Sequence, residues 1–119
     1  QQVSEKTYKP IALGMPFIIF TSKPGITKHL KSIGFKTFHH HINEEYDYTI
    51  LPERTNTPEK LLHEYIVRFR KLLKEINRIC SMNHQQLQEL KHKCHDIVVH
   101  NQSILRNQTL IKPLPIIEK

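Results

Sequence analysis

The chain has 119 residues, 38% hydrophobic and 24% charged, a composition that predicts one soluble globular domain and excludes a disordered tail. Its 18 Lys and Arg against 11 Asp and Glu leave a formal net charge of +7, which favours anionic partners: nucleic acid, a phosphate-bearing ligand or an anionic surface. No apolar run approaches the roughly 20 residues of a bilayer span, so no membrane role is expected.

The opening residues show no charged-then-apolar leader, and the abrupt start predicts a fragment or a chain trimmed to its ordered part. Ser4 is placed to cap a first helix, with Glu5 in its positive first turn. Tyr8, Ile11 and Ala12 share one face of that helix. Pro10 keeps it short or bends it, and Gly14 stops it. Phe17 to Phe20 is a continuous apolar run, the pattern of a strand buried on both faces. A polar turn follows at Thr21 to Gly25, in which Pro24 suits the opening of another helix. Ile26, Leu30 and Ile33 then recur at helical spacing up to Gly34, and Phe35 to Phe38 reads as a second strand. This β-α-β order predicts an α/β fold, with a small parallel sheet covered by helices. His39 to Arg54 has no clean period and reads as a loop with one helical turn around Asn43 to Tyr48. Residues 1–54 thus form an α/β half.

Residues 55–119 read as a long antiparallel helical hairpin with an extended tail, packed with the first half as one domain. Thr57, Pro58 and Glu59 give three signals for a helix start. Leu61, Leu62, Tyr65, Ile66, Phe69, Leu72, Leu73, Ile76 and Cys80 make one wide apolar stripe. After a link at Ser81 to His84, a second stripe runs through Leu87, Leu90, Cys94, Ile97, Val98, Asn101, Ile104 and Leu105. The two stripes are expected to face each other, with the remainder covering the sheet around Phe17 to Phe20 or a second copy of the chain. Lys112 to Pro115 cannot be helical. Cys80 and Cys94 would stand ~10 Å apart along the hairpin axis, too far for a bridge. Both read as reduced core residues, which predicts a cytoplasmic setting.

Ser4-Glu5-Lys6-Thr7, the short helix after it and the strand Met15 to Phe20 resemble the donor-binding segment of GT-B glycosyltransferases, closest to the fucosyltransferase-like pattern. The chain is also similar to viral and bacterial proteins of uncertain role. Those carry an EKT-x-KP opening, a later PG and GF-x-TF, and an acidic loop, matched here by Pro24-Gly25, Gly34-Phe35, Thr37-Phe38 and Glu44-Glu45-Tyr46-Asp47. The resemblance covers residues 4–48. It implies a nucleotide-sugar donor as substrate and no covalently bound cofactor. It also implies a contact from Glu5 to ribose or sugar hydroxyls, and neutralisation of the diphosphate by Lys6, with Ser4 and Thr7 beside them. No acceptor-side domain or catalytic base precedes Ser4, so an upstream domain of the same protein, or a protein partner, would have to complete such an enzyme. Alone, the chain is expected to bind weakly and to catalyse nothing.

Nine histidines raise a metal reading. His39, His40 and His41 are adjacent and cannot all face one ion. His92 and His95 share a helix face but have no third or fourth ligand at zinc spacing. No metal is therefore expected. His39 to His41 follow the C-terminal end of the second strand, where open α/β sheets bind ligands, so His39 and His40 join the candidate donor-binding residues. A Cys94–His95 dyad is excluded because helix neighbours point about 100° apart. The alternative function is a non-enzymatic interaction module that binds protein or nucleic acid through basic helix faces.

Overall fold

A computed structural model describes residues 5–52 and 55–111, with side chains from 8 to 107. It contains five helices: α1 (Glu5–Ala12), α2 (Ile26–Ser32), α3 (Pro58–Cys80), α4 (His84–Lys93) and α5 (His95–Ile111). A 3-10 turn at Glu45–Asp47 interrupts the loop before α3. The punctuation predicted from sequence is present. α1 includes Pro10 close to its end. Gly14 and Gly34, at φ 70° and 104°, follow α1 and α2 in the left-handed region that L side chains avoid. Pro58 occupies the first turn of α3, where a missing N–H costs nothing. Asn83 and Gln86 form a capping box that starts α4.

The parallel sheet is not formed. Among the described residues there is no strand, so the α/β expectation gives way to a helical fold in which both apolar runs lie outside regular secondary structure. The physical reason is that side chains from α3, α5 and the loop take backbone groups in the second run and just after the first. The Asn101 carboxamide accepts from Lys36 N–H at 2.8 Å and donates to Lys36 C=O at 2.9 Å, taking both groups as a neighbouring strand would. Glu44 accepts from Phe38 N–H at 3.1 Å. Arg68 donates to the carbonyls of Thr21 and Ser22, just beyond the first run. Phe17 and Phe38 then meet edge to face, 5.0 Å between centroids, inside a core shared with Ile11, Ile26, Leu30 and Phe35.

The second apolar stripe covers that core instead of facing the first stripe: Leu90, Ile97, Val98, Ile104 and Leu105 pack on it around fully buried Cys94, while Leu87 is exposed. Its helix parts into α4 and α5 at Cys94. The first stripe does not meet the second. Leu72 is its one buried member, and Leu61, Leu62, Tyr65, Ile66, Phe69 and Leu73 are exposed. Cys80, expected in the core, is exposed as well, and both cysteines are free. α3 rests instead on the 3-10 turn and its flanking loop, while α1 packs against α5.

Candidate functional site

α3 is turned so that its charged residues face inward. Glu64, Arg68, Leu72 and Glu75 are its buried residues, at spacings of 4, 4 and 3 that keep them on one line along the helix. Each polar member of the line holds loop backbone. Glu64 accepts from the Thr49 hydroxyl at 2.8 Å and from the N–H groups of Ile50 and Leu51 at 2.9 and 3.2 Å. Glu75 accepts from Asn43 N–H at 2.6 Å and is bridged by Arg78 at 2.7 Å. A loop with no sheet to join needs partners for its amides, and these carboxylates supply them.

Arg68 is the centre of this arrangement. Its side chain is fully buried, and its guanidinium donates to the carbonyls of Tyr46, Ser22 and Thr21 at 2.7, 3.1 and 2.9 Å. Asp47 stands 3.8 Å from the same group. Burial pulls the guanidinium below its usual pKa, while Asp47 and Glu64 pull it back up, and arginine stays charged at any working pH. Asp47 in turn accepts from Gly25, Ile26 and Thr27 N–H and from the Thr27 hydroxyl. It thereby caps α2, whose Gly25 cap residue has no side chain to do so.

With the charged line inside, the apolar stripe is left outside, about a quarter-turn around the helix. Leu62 is 60% exposed and Phe69 41%. Tyr65 and Phe69 stack at 6.4 Å with 4° between their planes, and Phe20 closes the group at 5.3 Å from Tyr65 and 6.0 Å from Phe69. The guanidinium carbon of Arg68 lies 4.8 Å from the Phe20 ring centre, so the buried cation holds the aromatic group from beneath. Several large apolar side chains are thus exposed in one continuous stripe along α3. Of the three acids on α3, Glu64 and Glu75 are buried and Glu59 alone is exposed, whereas Lys60, Arg70 and Lys74 are exposed.

The residues expected to hold a nucleotide-sugar are not brought together by anything described. Ser4 lies outside the described residues, as do the side chains of Glu5, Lys6 and Thr7, whose backbone forms the first turn of α1. α1 leads into a run outside regular secondary structure rather than a sheet strand. His39 and His40 are exposed on the turn after Phe38 with ring centres 4.0 Å apart. Burial, Lys31 and the neighbouring histidines all lower the His39 pKa. No group of three or more potential metal ligands gathers among the described residues. The residues missed from sequence are Phe20, read as strand core, and the outward-facing aspect of Tyr65 and Phe69. The signal was present in Glu64, Arg68 and Glu75, polar residues that repeat at helical spacing and define a second face.

Glu44 offers a test of the loop geometry. Burial pushes its carboxyl above the usual range, against hydrogen bonds from the Thr37 hydroxyl at 2.8 Å and Phe38 N–H that pull it down. A carboxyl whose folded pKa is raised binds more protons folded than unfolded, so its contribution to stability falls as pH rises from the unfolded value through the folded one. Melts of the native chain and Glu44→Gln between pH 4 and 7 are expected to show the native chain losing stability relative to the variant on going up. A relative gain would contradict the buried placement.

Comparison with protein families, with curated proteins and with solved structures returned no match.

Proposed function

We propose that the chain is a non-enzymatic interaction module that docks a partner protein along the outward face of α3. The observation that supports this most is the inversion of that helix: Glu64, Arg68 and Glu75 are buried while Leu62, Tyr65, Ile66, Phe69 and Leu73 are exposed. Residues so apolar at the surface are stabilised when a partner removes them from water, at roughly 25 cal/mol per Å² buried before the cost of association is subtracted. The aromatic trio of Phe20, Tyr65 and Phe69 sits where a binding hot spot is expected, near the middle of the stripe. A protein fits this face better than nucleic acid. Tyr65 and Phe69 are parallel and Phe20 meets both edge-on, so the rings pack on one another and are not splayed to receive bases. Among the described residues no helix is long and apolar enough to cross a membrane. Two free cysteines are consistent with a reducing, cytoplasmic setting.

The face contributes little to the fold itself. Phe69→Ala is expected to lower stability by only about 1 kcal/mol in a denaturant melt, where a core truncation costs several. A loss of several kcal/mol would put Phe69 in the core. The reading is tested with a photo-crosslinking residue at Ile66 in the cells that make the protein. A discrete protein adduct is expected from that position, absent when Leu62→Asp is added and absent from a crosslinker at exposed Gln88 on α4. Equal adducts from both positions, or adducts to nucleic acid, would overturn it.

A further inference from the structure

We infer that two adjoining clefts beside α2 bind a short segment of single-stranded nucleic acid. The inference does not depend on the α3 face, none of whose exposed apolar residues lines either cleft. The first cleft, of about 460 Å³, is lined by Pro24, Lys28, Lys31, Tyr48 and Thr49. The second, of about 450 Å³, is lined by His39, His40, His41, Tyr48 and Arg78, together with Glu45. Tyr48 belongs to both. Lys31 in the first cleft also lowers the pKa of His39 in the second, so the two run together as one track.

Single strands are held by a cationic groove that follows the phosphates and by rings on which bases stack. Both parts are here. Tyr48 is 51% exposed, so its ring is available to a base. His39 and His40 add imidazole rings 4.0 Å apart, a ring type that also stacks on bases. Lys28 and Lys31, three residues apart on one face of α2, form no ion pair among the described residues. The acids along the track do not cancel them. Asp47 and Glu44 are buried, and their carboxylates accept from backbone N–H groups and from the hydroxyls of Thr27 and Thr37. Glu45 is exposed, and it also borders the neighbouring cleft with Lys71 and Lys74. The net charge of +7 adds a long-range field of the same sign. A duplex fits less well, because its bases are already stacked on one another and cannot reach Tyr48.

The test uses the whole chain and a labelled oligouridine of about ten nucleotides, with binding read by fluorescence anisotropy across a salt series. Tyr48→Ala is expected to weaken binding about tenfold with the salt dependence unchanged, and Tyr48→Phe to retain it, because stacking needs only the ring. Lys28→Ala combined with Lys31→Ala is expected to weaken binding at least about tenfold and to flatten the salt dependence by the share of about two phosphate contacts. Lys60→Ala combined with Lys91→Ala removes the same charge away from the clefts and should cost far less. Every substituted side chain is exposed, so the fold is not at stake. Equal losses from the two double variants would reduce the binding to a general positive field and overturn the inference. Indifference to Tyr48→Ala, or tighter binding of the same oligonucleotide as a duplex, would overturn it too. Displacement of the oligouridine by an acidic peptide of equal charge at the same concentration would make a protein segment the occupant. The crosslink from Ile66 on α3 stands or falls separately from all of these.

Discussion

Arg68→Ala is expected to destabilise the protein by ~3–5 kcal/mol, enough to unfold a domain of ordinary stability. Three effects add. The substitution leaves the carbonyls of Tyr46, Ser22 and Thr21 without their donor in a buried site. It strips Asp47 of its facing cation, and Asp47 is the residue that caps α2. It also removes the support under Phe20. Arg68→Lys keeps the charge but has one ammonium where a planar fork reaches three acceptors, so it should recover only part of the loss. A melt of Arg68→Ala that stays within about 1 kcal/mol of the native chain would show that the guanidinium is not the fastener of the loop.

Phe38→Ala is the second large effect, also at ~3–5 kcal/mol. Phe38 is fully buried, packs edge to face on Phe17, and lies where the second apolar run passes beneath α5. Its removal leaves a cavity that the surrounding helices cannot simply close, since α2 is fixed by Asp47 and α5 by the Asn101 bonds to Lys36. Chemical denaturation would measure it. A cost no greater than that of Phe69→Ala would mean that the two phenylalanines have similar surroundings, against their exposures of 0% and 41%.

Much of the helical half of this arrangement could be read from single residues. Gly14 and Gly34 end their helices, Thr57-Pro58 opens α3, Ile26 and Leu30 face the core, and the loop after His39 contains its one helical turn. Cys94 lies in the core as its place in the second stripe required. The sheet was misread because Phe17 to Phe20 and Phe35 to Phe38 have the apolar density of buried strands, and density does not say what will bond their backbone. Asn101 was the clue: a carboxamide in the middle of an apolar stripe, where it replaces a strand for Lys36.

The face of α3 was misread for a related reason. Hydrophobic periodicity assigns the side with Tyr65, Phe69 and Leu73 to the core, and burial normally follows it. Here the loop segments on either side of α2, at Thr21–Ser22 and from Asn43 to Leu51, have no sheet to join and draw Glu64, Arg68 and Glu75 inward to serve their amides and carbonyls. A helix cannot present both faces to the same loop, so the apolar one is displaced outward. The exposed stripe is thus a consequence of how the loop is satisfied, and the docking proposal depends on that inversion.

Hydroxyl-radical footprinting of the dilute native protein tests the inversion most directly, because it reads Tyr65, Phe69, Tyr46 and Phe38 in one experiment. Tyr65 and Phe69, 39% and 41% exposed, are expected to be modified at rates approaching those of the denatured chain, while Tyr46 and Phe38, at 1% and 0%, are protected. Protection of Tyr65 and Phe69 equal to that of Phe38 in the monomer would contradict the account, because the apolar stripe of α3 would then lie in the core.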